Sequence, residues 1–191
     1  MKKKDKFTQI RKLIREQLEL INDISKIKIE NILDNDYEEV LDIMSEEFDF
    51  LSREEVAEAI DDVNYSISLK AVNQENKIVG ILLFENTDIN SFLKRVGKPL
   101  HLNYSLDIFK NKKGINGTAF VINKKYRGSQ LNRMFLSAAR SIISGYDYVL
   151  SEVMEQLKTH NYWKHMGFKE LGKFEMKDGY NSFLYFYSNK I

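Results

Sequence analysis

Hydrophobic residues in the first part of the chain change their spacing several times, and each change marks a new element. In residues 7–24 they recur every three or four positions, which predicts an amphipathic helix. In residues 26–33, KIKIENIL, they alternate with polar residues as in a strand. The same two periods then predict two helices followed by a hairpin: helices 36–48 and 52–60, strands 65–73 and 77–86.

Polar residues mark where the two central helices begin. Asp36 stands directly before the first of them and belongs to the residue types that cap helix N-termini. Ser52 is followed three positions later by Glu55, which is the spacing of a capping box. The second helix is therefore predicted to start at Ser52.

A long basic connection, residues 86–116, opens the second half of the chain. Only a short helix near residues 89–96 is predicted within it, and the remainder reads as irregular. The elements that follow are strand 117–123, helix 129–143, strand 147–153, short helix 159–166, and strands 169–176 and 182–188 around the turn Asp178-Gly179. This order predicts an α/β fold with a mixed sheet.

Composition narrows the class of protein. The chain has 191 residues, 43% of them hydrophobic, one proline and no glycine-rich linker, which predicts a single compact domain with at most an appendage. Because cysteine is absent, disulfides and cysteine nucleophiles are excluded, and a location in the reducing cytoplasm is expected. The spacing of the three histidines predicts no metal site. No apolar run is long enough to span a bilayer, so no membrane association is expected.

Charge is distributed unevenly although the net charge is only +1. Residues 34–62 contain thirteen acids and one base, whereas residues 94–140 contain eleven bases and one acid. Either stretch can be a set of solvated helix faces and loops, or the two can present different fields to two ligands. The basic stretch lacks the patterned aromatic residues of an RNA-binding sheet, so no nucleic acid partner is expected.

The turn between strand 117–123 and helix 129–143 has the residue types of an anion site. The first N–H groups of a helix are unpaired, and the helix dipole makes them attractive to anions. Gly128 allows a close backbone approach, Ser129 can donate a hydrogen bond, and Arg127 adds a fixed positive charge. The turn is neither a P-loop nor a dinucleotide fingerprint, since no GK[ST] and no second glycine follow Gly128.

Two blocks of sequence resemble the GCN5-related N-acetyltransferase (GNAT) family. Residues 121–132, VINKKYRGSQLN, resemble its strand and arginine/glycine pyrophosphate loop, and residues 162–168, YWKHMGF, resemble its closing helix. The resemblance implies a mixed, largely antiparallel sheet with a splayed parallel strand pair, flanked by helices. It begins near residue 26, so residues 26–191 are expected to form one acyltransferase domain and residues 1–25 a helical appendage.

The resemblance also implies an activity and a co-substrate. The enzyme would transfer an acetyl group from acetyl-CoA, without a metal, to a primary amine that attacks the thioester directly. The pyrophosphate would bind the N–H groups from Arg127 to Asn132. The residues expected to bind the co-substrate are Val121, Ile122, Arg127, Gly128, Ser129, Gln130, Leu131, Asn132, Gln156 and Trp163.

Catalysis needs a base for the ammonium and an acid for the thiolate. Glu152, near the end of the second splayed strand, is the candidate base, with Glu85 as an alternative; either can instead be paired or solvated. Tyr162 is the candidate acid, although Trp163 occupies the position where the family often has tyrosine.

Departures from the family pattern leave a second function open. Gln130 and Asn132 stand where the family has small residues. The protein can therefore be a degenerate member that binds CoA or a protein partner without turnover.

The acceptor is expected to be a cationic amine. In this family the helices formed by residues 34–62 would overhang the acceptor cleft, and their acidity would favour a polyamine, an aminoglycoside or a peptide amine. The helix at 7–24 lies outside the resemblance and is a candidate contact for a homodimer.

Overall fold

The computed structural model describes residues 3–157, 159–177 and 179–188, with the backbone alone at residues 3–8, 10, 11, 95 and 96. Within these residues six α-helices flank one sheet. The helices are α1 (Lys3–Ile24), α2 (Tyr37–Glu47), α3 (Arg53–Ile60), α4 (Ile89–Val96), α5 (Leu131–Ile143) and α6 (His160–His165). The strands are β1 (Lys28–Asn31), β2 (Leu69–Val72), β3 (Ile78–Asn86), β4 (Gly97–Leu102), β5 (Gly114–Ile122), β6 (Tyr148–Met154), β7 (Lys169–Met176) and β8 (Asn181–Tyr187).

The strands form one eight-stranded sheet in the order β1-β2-β3-β5-β6-β8-β7-β4. Six of the seven neighbouring pairs are antiparallel, and β5 with β6 is the parallel pair. A mixed, largely antiparallel sheet with one parallel pair is the fold class that the sequence predicts, and the prediction is confirmed.

The two faces of the sheet are covered by different helices. On one face, α5 and the end of α1 pack on a single cluster that includes Ile115 and Val149. On the opposite face, α2 and α3 cover one cluster, and α4 with the turn at Leu106–Phe109 covers another. We call this second face, with its two clusters, the divided face.

The prediction of an irregular segment at 86–116 is wrong in part. The short helix is confirmed as α4, but β4 follows it directly and pairs with the outer edge of β7. Pro99 lies beside a break in the register, and β4 is an edge strand, where proline is tolerated. β5 also begins at Gly114, earlier than predicted, because residues 114–117 pair with β6.

The predicted helix starts have different outcomes. The capping box is confirmed: Ser52 Oγ accepts from the Glu55 N–H at 3.2 Å, and Glu55 accepts from the Ser52 N–H at 2.7 Å. Asp36 does not cap α2. Its carboxylate accepts from the Leu33 N–H at 2.7 Å and pairs with the buried Lys70 at 2.6 Å, so it is already engaged.

The helix α1 joins the domain through its C-terminal end. Ile24 is buried in the core cluster and Leu20 packs against it, whereas Leu13, Ile14, Leu18 and Ile21 are exposed. No helix in the described ranges combines the length and apolarity that crossing a bilayer requires. Of the predicted turn at 178–179, Asp178 lies outside the described residues; Gly179 has a φ of +83°.

Candidate active site

The parallel strands β5 and β6 separate in the middle of the sheet. Their pairing runs from Gly114 opposite Tyr148 to Gly117 opposite Ser151 and then stops. Beyond that point β5 follows β3 as far as Ile122, while β6 follows β8 as far as Met154. We call the opening between the two strands the wedge. The backbone groups that point into it have no strand partner, so they are available to a ligand.

A bulge in β5 lies where the wedge opens. The register between β3 and β5 shifts so that Leu83 pairs with Ala119 and Phe84 pairs with Gly117, which leaves Thr118 as the extra residue. A bulge bends its strand and increases the local twist. Because parallel pairing would next place Thr118 opposite Glu152, these two residues stand at the mouth of the wedge.

The turn after β5 is held by its own hydrogen bonds. Asn123 Oδ1 accepts from the Lys125 N–H at 3.0 Å, and the buried Tyr126 anchors a short helical turn at Lys124–Tyr126. Gly128 then adopts a φ of +72°, a left-handed conformation that glycine adopts without strain. A Cβ at Gly128 would meet nothing within 4 Å, so this side of the turn is open.

Three N–H groups at the head of α5 are free to bind an anion. The N–H groups of Gly128, Gln130 and Asn132 have no acceptor among the described residues. Between them, the Ser129 N–H donates to the Tyr126 carbonyl at 3.3 Å, and the Leu131 N–H donates to Ser129 Oγ at 3.2 Å.

Ser129 and Arg127 therefore differ from the roles predicted for them in the anion site. Ser129 closes the turn with its hydroxyl, which donates to the Tyr126 carbonyl at 2.5 Å, instead of being left to a ligand. The Arg127 N–H donates to the Lys124 carbonyl at 3.4 Å. Of the six N–H groups from Arg127 to Asn132, every second one thus has an acceptor in the protein. The other three, of Gly128, Gln130 and Asn132, have none among the described residues.

Arg127 is turned toward α2. Its Nε donates to the Ile122 carbonyl at 2.9 Å, and its Nη2 forms an ion pair with Glu47, the last residue of α2. A shallow groove lies beside this pair, between α2 and the ends of β3 and β5. Its lining residues are Ile43, Glu46, Glu47, Val79, Val121, Asn123, Lys124 and Arg127.

Tyr162 lies on the other side of the wedge. Its ring centroid is 6.3 Å from that of Phe120, which lies in the part of β5 that no longer pairs with β6. Its hydroxyl is buried and has no hydrogen-bond partner among the described residues. Burial raises the pKa of Tyr162, and the nearby Asn132 side chain offsets part of that rise. Trp163 packs on Phe168 at 4.9 Å between centroids.

Glu152 faces the opposite way from Tyr162. Successive strand residues alternate between faces, so Glu152 lies with Leu150 on the divided face. Its carboxylate accepts from the Ser182 hydroxyl at 2.7 Å and the Tyr180 hydroxyl at 3.3 Å. Phe120, against which Tyr162 packs, contacts Phe135 of α5 on the other face. The two catalytic candidates thus flank the wedge from opposite faces.

The sequence alone did not predict that three polar side chains, those of Glu85, Asn116 and Thr118, would form a buried row on neighbouring strands. Glu85 and Asn116 are 8% and 5% exposed and face each other across β3 and β5, with Asn116 Nδ2 3.4 Å from Glu85 Oε2. Asn116 Oδ1 and Thr118 Oγ1 are buried and lack a partner in the described part of the chain. The row lies between the two clusters of the divided face. Alternation predicts the face of each residue but not which strands become neighbours.

Gln156, predicted to bind the co-substrate, lies two residues beyond the end of β6. It follows β6 on the surface, and its amide nitrogen is 3.6 Å from the Met154 sulfur. Within the described ranges, no three acidic or histidine side chains come together in a way that could hold a metal ion.

Comparison with known proteins finds the fold but no sequence relative. No family model and no curated protein matches the chain. Solved structures match at low identity, and acetyltransferases are among them. They include Arabidopsis thaliana NAA60 with acetyl-CoA (14% identity, TM-score 0.61), Arabidopsis thaliana Naa50 with the bisubstrate analogue CoA-Ac-MVNAL (11%, 0.60), and a GNAT-family acetyltransferase from Staphylococcus aureus Mu50 (14%, 0.59).

These matches extend over nearly the whole of each known structure. They cover 86%, 85% and 85% of this chain and 99%, 99% and 98% of NAA60, Naa50 and the Staphylococcus enzyme respectively. The chain therefore has the GNAT fold, the architecture that the resemblance implied.

Proposed function

We propose that this protein is an N-acetyltransferase that moves an acetyl group from acetyl-CoA to a primary amine. The observation that carries the proposal is the wedge with three N–H groups at the head of α5, those of Gly128, Gln130 and Asn132, that have no acceptor among the described residues. A helix head with free N–H groups suits a diphosphate. The wedge leads from there between two strands whose edges are free to bind an extended pantetheine arm. Neighbours of this fold bind CoA or acetyl-CoA.

The residues around the wedge can take the three catalytic roles. Glu152 accepts a proton from the incoming ammonium, and the neutral amine then attacks the carbonyl carbon. Backbone N–H groups on the free edge of β5 polarise the carbonyl oxygen. As the carbon–sulfur bond breaks, Tyr162 donates its proton to the thiolate, and the proton that the new amide nitrogen loses restores the Tyr162 hydroxyl. Burial raises the pKa of Tyr162, so its hydroxyl keeps the proton at neutral pH until the thiolate forms beside it.

We propose a peptide amine as the acceptor class. The acidic stretch 34–62 supplies α2 and α3, which cover one cluster of the divided face, where Glu152 also lies. An ammonium group is attracted to such a surface. Among structures of this fold, Naa50 binds a peptide bisubstrate analogue and the NatC complex binds a Gag peptide. If substitution of Glu46, Glu47 and Asp49 by their amides leaves the KM for cationic acceptors unchanged, this assignment is wrong.

A second candidate is a protein that binds CoA without turnover. Gln130 and Asn132 replace small residues in the pyrophosphate turn, and Trp163 replaces the usual tyrosine. A thermal shift titration with CoA and acetyl-CoA tests binding first. Release of free thiol, measured across a panel of small amines and peptides, then separates the enzyme from the binder. If neither compound stabilises the protein at low or high salt, both candidates fail.

We also propose that α1 joins two copies of the chain. Three of its exposed apolar residues form a stripe about 100° around the helix from Leu20 and Ile24, which pack on the domain; they are Ile14, Leu18 and Ile21. Residues 3–15 carry six bases and one acid, whereas residues 16–24 carry three acids and no base. Two such helices complement each other in charge when they pair antiparallel.

Light scattering on wild type and Leu18→Glu tests the homodimer. We expect a dimer for the wild type and a monomer for the variant, because Leu18 lies in the exposed stripe. A wild-type monomer, or recruitment to anionic vesicles in a sedimentation assay instead, would overturn the assignment. A location in the cytoplasm stays a prediction.

A further inference from the structure

Arg127, in the candidate phosphate turn, already uses its guanidinium in an ion pair with a residue of another element. Arg127 pairs with Glu47 at the end of α2. Lys125 of the same turn pairs with Asp23 of α1 at 2.6 Å. Two cations beside the diphosphate site are thus neutralised by acids from helices outside the turn.

The pair between Arg127 and Glu47 is accessible to a competing anion. The Arg127 and Glu47 side chains are 44% and 32% exposed. Solvent-exposed ion pairs contribute little to stability. A phosphate oxygen pair binds a guanidinium in bidentate fashion with stronger, charge-assisted hydrogen bonds. A diphosphate bound at the head of α5 would therefore draw Arg127 away from Glu47.

We infer that Glu47 is a specificity-determining competitor of the donor: CoA binds by exchanging with Glu47 for the Arg127 guanidinium. The inference rests on the proposed function, because it takes the diphosphate to bind at this turn. Arg127 keeps one anchor, the bond from Nε to the Ile122 carbonyl, while its Nη groups change partner.

The exchange would couple the donor site to the acceptor side. Glu47 ends α2, and α2 belongs to the acidic stretch that is proposed to attract the acceptor amine. When the donor is bound, the Glu47 carboxylate would lose its pairing with Arg127. The electrostatic potential around residues 34–62 would then become more negative. Donor binding would then favour the binding of a cationic acceptor, and linkage requires the converse as well.

Calorimetric titration with CoA tests the exchange in four proteins: wild type, E47Q, R127Q and the double variant. We expect E47Q to bind CoA about 3- to 10-fold more tightly, since the competitor is lost. We expect R127Q to bind about 10-fold more weakly, since the phosphate ligand is lost. In the R127Q background, E47Q should change the affinity less than twofold. E46Q, which removes a charge from the same groove, is the matched control and should also change it less than twofold.

Each other outcome contradicts the inference in its own way. If E47Q tightens binding equally with and without Arg127, Glu47 acts only by charge repulsion. If E47Q weakens binding, Glu47 holds Arg127 in place for the donor. If wild type does not bind CoA, the proposed function itself is wrong, and the inference with it.

Hydrogen exchange gives a second readout: amides at the end of α2 should exchange faster when CoA is added to wild type, but not when it is added to E47Q.

Discussion

The ring of Tyr162 on α6 lies 6.3 Å, centroid to centroid, from the ring of Phe120 on β5, so an aromatic pair spans the wedge. Phe120 belongs to the part of β5 that no longer pairs with β6, and α6 is the helix that follows β6. A thioester arm bound in the wedge, as proposed, would pass near Tyr162, whose buried hydroxyl has no hydrogen-bond partner among the described residues.

Tyr162→Phe separates a chemical role of this hydroxyl from a packing role. If the hydroxyl protonates the thiolate, kcat should fall about 10- to 100-fold while the Kd of CoA stays unchanged. The free energy of unfolding should rise by about 1 kcal/mol, because the variant removes a buried hydroxyl that lacks a well-formed hydrogen bond within the described residues. Thiol-release kinetics, calorimetry and urea unfolding measure the three quantities. An unchanged kcat would assign Tyr162 to packing alone.

Gly128→Ala tests the phosphate turn. A Cβ at Gly128 has open space in the protein, so the cost to folding is the left-handed backbone alone, about 1 kcal/mol. The added methyl group would, however, stand where a diphosphate approaches the N–H of Gly128. We expect CoA affinity to fall by tenfold or more when it is measured by calorimetry.

Gly179 provides the matched control for that measurement. It has a similar φ, +83° against +72°, and a Cβ there also meets nothing within 4 Å. Gly179→Ala should lower the free energy of unfolding by the same amount and leave CoA affinity unchanged. Equal losses of CoA affinity in both variants would mean that Gly128 matters only through stability.

Glu152→Gln tests the candidate base. The amide preserves the shape of the side chain and can still accept from Ser182, but it cannot take a proton from the ammonium. Single-turnover acetylation should slow about 100-fold at neutral pH, within the usual range for general-base catalysis. Glu155→Gln is the control, because Glu155 is an exposed residue paired with Lys173 at 2.7 Å. Equal rates in the two variants would exclude Glu152 as the base and leave Glu85 as the alternative.

Local patterns predicted the elements, and the site depends on where those elements meet. Residues 169–176 were predicted as a closing strand beside the turn Asp178-Gly179, and β7 has these bounds. Edge strand β4 escaped prediction because it gains its order by pairing with β7, whose paired residues lie 70 to 79 positions further along the chain. The contacts of Arg127 with Glu47 and of Asn116 with Glu85 escaped for the same reason, since no local period specifies them.

The hydroxyl of Tyr185 should make the stability of the protein fall at high pH. Tyr185 is 1% exposed, and its hydroxyl lies 3.1 Å from His160 Nδ1. Burial, followed by the charge of Glu170, raises the pKa of Tyr185 from 10.0 to about 12. Between these two values the unfolded chain loses the proton while the folded protein keeps it, so the free energy of unfolding falls as pH rises. In urea unfolding, the advantage of wild type over Tyr185→Phe should be about 1 kcal/mol smaller at pH 11 than at pH 8. A difference that stays the same at both pH values would mean that the hydroxyl ionises equally in the folded and unfolded chains.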